Sequence, residues 1–273
     1  MKNVSFSVLM SIYYKENPSW FRDALESVFS QSIMPNEFVL VKDGPLTPDL
    51  NSVIEEFKLK YSSFKTIENE TNLGLGLSLR KGVLSCSNDI IARMDSDDLI
   101  PKDRFEKQLK VIEEGYDVVS CWSSLFIGSA NNIIAIKKRP ENNIDIEKLA
   151  KRRSPVCHAA CMMRKSSILA AGNYIHCLYY EDYHLWVRML MQDFKFYNIQ
   201  EVLYWVRTTD DQLQRRSGFK YLKNELKVFR EFYKIGFYSL KDLVVNSIIR
   251  VFVRLLPHSL RSFVFKLIWN FKN

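Results

Sequence analysis

The sequence predicts an α/β fold, a mainly parallel sheet with helices on both faces and a helical appendage at the C-terminus. Three observations carry that prediction. Strand-like apolar runs alternate with helix-like segments from Phe6 to Met94. The first two helix-like segments each open on a cap residue followed by proline, Asn17-Pro18 and Thr47-Pro48. Two carboxylates, Asp43 and Asp95, stand at the ends of the runs "FVLVKD" and "IIARMD", where parallel sheets bind their ligands.

Taken in order, Phe6 to Ile12 is a strand, and Phe21, Leu25, Val28 and Phe29 give the helix after Pro18 its apolar face. Glu37 to Val41 is the next strand, followed by a helix that carries Leu50, Val53, Ile54 and Phe57 on one side. "FKTIE" and "DIIARM" complete four strands of one sheet. Beyond residue 115 the alternation loosens into "DVVSCWSSLFIG", "IIAIKK" and a basic stretch with Lys151, Arg152 and Arg153. "HAACMMRKSSILAAGNY" reads as a strand and short helix ending at Gly172, "EDYHLWVRMLMQD" as a helix, and a last strand-like segment precedes Arg207. Residues 217–273 read as consecutive helices rich in Phe, Leu, Lys and Arg. The expected division is residues 1–215 as catalytic domain and 216–273 as basic amphipathic helices.

A chain of 273 residues with 47% apolar and 26% charged residues has ordinary globular composition, which excludes disordered and fibrous classes. The net charge of +8 calls for an anionic partner. The basic residues are dispersed among apolar helices, so the basic groove of a nucleic-acid binder is not expected. Five cysteines without Cys-x-x-Cys spacing disfavour a disulfide framework or structural zinc and fit a reducing cytoplasm. The N-terminal apolar run is too short to span a bilayer and reads as a buried strand.

The stretch "IARMDSDDLIPKDRFEKQL" holds Asp95, Asp97 and Asp98 within four positions. One Asp serves a turn or helix cap; three repel one another, and a divalent cation removes that repulsion. The turn reading and the metal reading both stand on this stretch alone.

Four stretches together, "FSVLMSIYY", "FVLVKDGP", "NLGLGLSLRKG" with "ARMDSDD", and "YYEDYHLWVRML", resemble the family 2 glycosyltransferases over roughly residues 5–210. "CHAACMMRKS" and "RLLPHSLR" are similar to the bacterial branch that builds lipopolysaccharide, capsule or exopolysaccharide. The resemblance implies a GT-A, Rossmann-like fold and inverting transfer from a nucleotide sugar, a UDP-sugar above others, to a lipid-linked glycan. It implies Mg²⁺ or Mn²⁺ held by Asp97 and Asp95, with Asp98 as ligand or cap. Nucleotide contacts fall on Ser11, Tyr13, Asp43, Gly74, Arg80 and Asp95, and Gly76 joins Gly74 in allowing close backbone approach. Asp182 falls at the general base, with Glu181 and His158 on the acceptor side. Arg207 and Arg215, with Arg216 beside it, would bring positive charge onto the diphosphate, the alternative being a solvated surface. Trp186 is expected in the core and Arg188 to anchor its helix through a carboxylate. Lys42 departs from the family pattern, which often has Asp there, and reads as a solvated strand-end charge.

Two rivals to this reading are a sugar-phosphate nucleotidyltransferase, disfavoured by the lack of glycine in "SIYYKENPSW", and a nonenzymatic binding protein on a degenerate transferase fold. In residues 241–273, Arg250, Arg254, Arg261 and Lys266 interrupt every apolar run, so a spanning helix is not expected. Helices lying in an anionic membrane interface are expected instead, at the inner face of the cytoplasmic membrane; packing on the catalytic domain is the alternative.

Overall fold

The computed structural model describes residues 4–208 and 219–255. Its strands are β1 (Phe6–Ile12), β2 (Glu37–Asp43), β3 (Phe64–Asn69), β4 (Ile90–Met94), β5 (Val118–Phe126), β6 (Ile133–Lys137), β7 (Met162–Arg164) and β8 (Phe196–Arg207). Its helices are α1 (Pro18–Val28), α2 (Pro48–Lys60), α3 (Leu75–Ser85), α4 (Arg104–Glu113), α5 (Asn143–Ala150), α6 (Lys165–Ala170), α7 (Glu181–Leu190), α8 (Phe219–Lys234) and α9 (Leu240–Leu255). The strands form one sheet in the order β3-β2-β1-β4-β7-β5-β6, with β8 along β5.

The sheet has two halves. β3, β2, β1 and β4 run parallel, as the alternating sequence pattern requires. β7 is antiparallel to both β4 and β5, and β8 returns parallel to β5. β1 shows how the sheet builds a core on each face. Phe6, Val8, Met10 and Ile12 enter the cluster that also holds Phe21 and Leu25 of α1, Phe57 of α2 and Phe105 of α4, while Leu9 enters the other cluster. Each fully buried Leu or Phe contributes roughly 1.5–3 kcal/mol.

Caps fix where the first helices start. Asn17 accepts from Ser19 N at 2.9 Å and from Trp20 N, and Thr47 accepts from Leu50 N. α3 lies close on the sheet at Gly82, where a Cβ would overlap Leu9 Cδ1. α8 buries Phe229 and Phe232 in the same cluster as Trp186 and Leu185 of α7, so it shares the core of the sheet's second face. The expected domain division at 215 falls outside the described residues. α9 lies against α8 through Arg250 and Arg254, which both pair with the buried Glu225. Of the tail expected at residues 241–273, residues 241–255 lie against α8 and against the carbonyls of Lys151 and Arg152, and the rest fall outside the described residues.

Candidate active site

The ends of β4, β8 and the start of α7 converge on a set of carboxylates above two buried arginines. One ligand oxygen from each of Asp95, Asp97 and Asp98 can be chosen so that all lie within 4.8 Å of one another. Arg93, on β4 and 2% exposed, pairs with Asp95 through one guanidinium nitrogen, while its buried Nε has no hydrogen-bond partner among the described residues. Burial pulls the Arg93 pKa down, and the charge and hydrogen bond of Asp95, with Tyr204 and Tyr174, together raise it above the usual value. Arg104, fully buried on α4, donates to the Arg93 carbonyl at 2.8 Å and to Gln108 Oε1 at 2.9 Å, with its guanidinium over the Tyr204 ring. Burial lowers its pKa.

The three carboxylates differ in their surroundings. Asp98 is 2% exposed, accepts from the Arg207 backbone N–H at 2.7 Å and is hydrogen-bonded by the Tyr204 hydroxyl. That hydroxyl also accepts from Asp95 N at 3.1 Å, so Tyr204 of β8 links two of the three acids. Burial, then the charges of Asp97 and Asp95, push Asp98 well up. Burial first and Asp95 second push Asp97 to about 6. Oxygen-only donors held this close under mutual repulsion fit a hard divalent cation. Asp98, with its oxygens engaged by β8, is the best placed to hold the turn.

The residues expected to contact a nucleotide lie on or next to β1, β2, β4 and α3. Asp43 is 3% exposed at the end of β2. Its Oδ1 accepts from Leu73 N at 2.7 Å and Asn69 Nδ2 at 3.0 Å, and its Oδ2 from Gly74 N at 3.0 Å. A carboxylate has about four acceptor sites, so roughly one is left on Oδ2. Gly74 has φ +87° with open space around a Cβ position, as a residue at a ligand-facing bend requires. Gly76 differs from expectation. It lies buried inside α3, where a Cβ would stand 2.9 Å from the Ile175 carbonyl and 3.1 Å from Glu181 Cβ. Its small size therefore admits the start of α7, not a nucleotide. Ser11 is half-buried near the end of β1, and Tyr13 lies just beyond, its ring edge-on to Tyr14. Arg80 is exposed on α3 and donates to the Tyr174 carbonyl at 3.1 Å. Lys42 pairs with Glu68 across β2 and β3 at 2.6 Å, so it is a cross-strand partner at the surface.

Of the residues expected on the acceptor side, Glu181 and Asp182 open α7. Ser154 donates to Asp182 Oδ2 at 3.2 Å. Burial, then Asp182, push Glu181 up to about 7, while Arg93 acts in the opposite direction. Arg93 lowers Asp97 in the same way, so one buried guanidinium acts on the acid cluster and on α7 together. His158 begins a short 3₁₀ turn, with Nε2 2.9 Å from the Tyr174 hydroxyl and its ring against Trp186. Burial and Arg93 lower its pKa, so the ring is neutral at neutral pH. Trp186 is fully buried, as expected. Among the described residues Arg188 meets no carboxylate; it donates to the carbonyls of Ala171 and Asn173, bridging the Gly172 turn to α7.

Arg207 also differs from expectation. It is the last residue of β8, not a residue of the segment after it, and is 5% exposed. Its Nε donates to the Asp97 carbonyl at 2.8 Å, Nη1 to the Gly128 carbonyl and Nη2 to Asp23 at 3.1 Å, with Trp20 and Phe126 against the guanidinium. A buried arginine so engaged holds the acid turn in place and is not poised to swing onto a diphosphate. Arg215 and Arg216 lie outside the described residues. Arg93, Arg104 and Tyr204 were not singled out from the sequence; the one signal was a charge inside the apolar run "IIARM".

The family profile described as "Glycosyl transferase family 2" matches residues 7–171. A UDP-Gal:alpha-D-GlcNAc-diphosphoundecaprenol beta-1,3-galactosyltransferase of Escherichia coli is 38% identical over 263 residues, which is 96% of this chain and 95% of that protein. The chain belongs to glycosyl transferase family 2. The amylovoran biosynthesis glycosyltransferase AmsE of Erwinia amylovora is another relative of this family 2 chain, 33% identical over 96% of it and 98% of AmsE. Among solved structures, S. aureus TarS 1–349 in complex with UDP-GlcNAc superposes with TM-score 0.70 at 16% identity, covering 91% of this chain and 73% of that one. The mannosyltransferase PcManGT of Pyrobaculum calidifontis, in complex with GDP-Man and Mn²⁺, gives TM-score 0.66 at 14% identity, over 89% and 68%. These likenesses establish the GT-A fold of this family 2 glycosyltransferase.

Proposed function

We propose that this family 2 enzyme transfers a sugar from a UDP-sugar to a hydroxyl of a lipid-linked glycan, with inversion, in the assembly of a bacterial surface polysaccharide. The observation that carries the reading is the acid cluster at the end of β4, its three ligand oxygens within 4.8 Å, facing the carboxylates that open α7 across one buried arginine. Asp97 and Asp95 would hold Mg²⁺ or Mn²⁺, which would supply positive charge to offset that on the leaving diphosphate. Asp43, Gly74, Ser11, Tyr13 and Arg80 line the nucleotide side, and Asp43 keeps an acceptor position for a ring N–H. Asp182 takes the proton of the acceptor hydroxyl as that oxygen attacks the anomeric carbon and the phosphate oxygen leaves with the bond's electron pair. The start of α7 favours its ionised form. Glu181 and His158 shape the acceptor side, and Ser154 orients Asp182.

The acceptor class is supported by the printed substrate of the Escherichia coli relative, and the polysaccharide setting by AmsE. Work at the inner face of the cytoplasmic membrane is supported by α9, which exposes Leu240, Val244, Ile248 and Phe252. Among the described residues no helix is long and apolar enough to cross a membrane. The deciding experiment titrates UDP with and without Mn²⁺, then screens UDP-, GDP- and dTDP-sugars for transfer to lipid-linked acceptors. Equal UDP affinity with and without the metal would overturn the site assignment; turnover of a GDP- or dTDP-sugar alone would overturn the donor class.

A further inference from the structure

The segment 151–154 joins the acceptor-side carboxylate to α9. At one end Ser154 donates to Asp182. At the other, the carbonyls of Lys151 and Arg152 accept from Asn246 and from the Arg250 guanidinium, each at 2.9 Å. Lys151 is fastened further, over the Phe237 ring and onto the Phe237 carbonyl. Between these ties lies Arg153, half-buried, with no ion pair among the described residues; burial and the like charge of Arg250 both lower its pKa. Among the described residues, Arg250 and Arg254 pair with Glu225, Lys151 and Arg152 act on Asp242, and Arg153 stands near Arg250. Glu225 is shared by Arg250 and Arg254 at 3.1 Å each, so its charge is already answered.

A half-desolvated arginine facing another cation is an arrangement that a multivalent anion relieves. α9 indicates where such an anion comes from. Its Asn246, Arg250 and Arg254 face the protein at four-residue spacing. Leu240, Val244, Ile248 and Phe252, also four apart and two out of phase, face solvent at 47–67% exposure. The cations therefore lie on the protein side of a helix whose outer side suits lipid.

We propose that Arg153 and Arg152, backed by Arg250, form a subsite for the diphosphate of a prenyl diphosphate, presented by a leaflet against which the apolar stripe of α9 lies. The subsite stands next to Ser154 and Asp182, so a sugar carried on that diphosphate has its hydroxyl turned to the base. This rests on the reading of Asp182 as the acceptor-side base, and it fixes where the lipid-linked substrate is held.

The test uses full-length protein in EDTA, so that no metal draws a diphosphate to the acid cluster. Sedimentation is measured with phosphatidylcholine vesicles carrying either geranylgeranyl diphosphate or an equal charge of phosphatidylglycerol. Wild type should prefer the prenyl diphosphate by about tenfold or more, with inorganic pyrophosphate competing. Arg153→Gln should erase the preference and Arg153→Lys should keep part of it. Ile248→Ser, at an exposed position, should weaken binding to both vesicles. Asp97→Asn, in EDTA, should leave the preference between the two vesicles as in wild type. The proposal is overturned if Arg153→Gln retains the preference with an unchanged melting curve, if phosphatidylglycerol serves equally well, if Ile248→Ser has no effect, or if Asp97→Asn removes the preference and so places the diphosphate at the acid cluster. Metal-dependent UDP binding, measured on the same protein, stands or falls separately.

Discussion

Replacing Asp97 by Asn should stabilise the metal-free protein while removing its response to metal. Burial and Asp95 hold the Asp97 carboxyl at about 6 against an ordinary 3.8. The folded state therefore binds this proton more tightly than the unfolded state does. Stability from this group is fully present below about pH 4 and is lost as pH rises through about 6. About two units at roughly 1.4 kcal/mol each set an upper bound near 3 kcal/mol. Partial solvent contact and sharing with Asp95 and Asp98 reduce this to on the order of 1–2 kcal/mol. Asn keeps the shape without the charge, so in EDTA at pH 7.5 the variant should melt roughly 2–6 °C above wild type, a gain that shrinks towards pH 4. With Mn²⁺ wild type should rise and the variant should not. Melting curves by circular dichroism at pH 4, 5.5 and 7.5 decide it. A variant that melts below wild type in EDTA at pH 7.5, or whose gain ignores pH, refutes the electrostatic reasoning.

Asp182→Asn should lower transfer by roughly 10²-fold or more while donor binding persists, and a near-normal rate would remove Asp182 from the base position. Gly76→Ala should push the start of α7 away from α3, costing about 1–3 kcal/mol and lowering transfer more than UDP affinity; unchanged kinetics would separate Gly76 from the site. Tyr204→Phe leaves the Asp95 N–H and the buried Asp98 carboxylate each short of a partner, so denaturant unfolding should show a loss of about 1–3 kcal/mol, with no loss if water replaces the hydroxyl.

The parallel half of the sheet was legible because its signals are local: a near-continuous apolar run in β1, buried on both faces, the Asn17 and Thr47 caps, and apolar faces at helical spacing in α1 and α2. The second half was less so. β7 has three residues, too few to show a period, and its partners Ile90 and Val118 lie far away in sequence. The acid cluster was visible as a run of carboxylates, but its supports were not. Arg93 and Arg104 are charged residues whose burial depends on carbonyls, rings and carboxylates brought together only by the fold. Arg207 was misplaced for the same reason: a cation near a strand end reads as mobile until Asp23, 184 residues earlier, is found against it. Gly76 and Gly74 look alike in sequence, and only α3 separates a packing glycine from one at a bend.

The seam between the two halves is thin. β7 is matched to β4 through three residue pairs and to β5 through two. Other ties also cross it: Leu99 and Trp205 exchange backbone hydrogen bonds, Arg207 joins β8 to Asp98, Asp97 and Asp23, and Gln108 of α4 donates to the carbonyls of Val119 and Ala160 at 3.0 and 2.7 Å, while its neighbour Arg104 reaches back to the Arg93 carbonyl. The three acceptors reached from α4 are main-chain oxygens, and every amino acid supplies one. These acceptors persist whatever side chains Arg93, Val119 and Ala160 carry, so the bonds depend on Gln108 and Arg104 alone. The side chains between β5 and the turn at His158 can therefore change while α4 keeps its hold on both halves of the sheet.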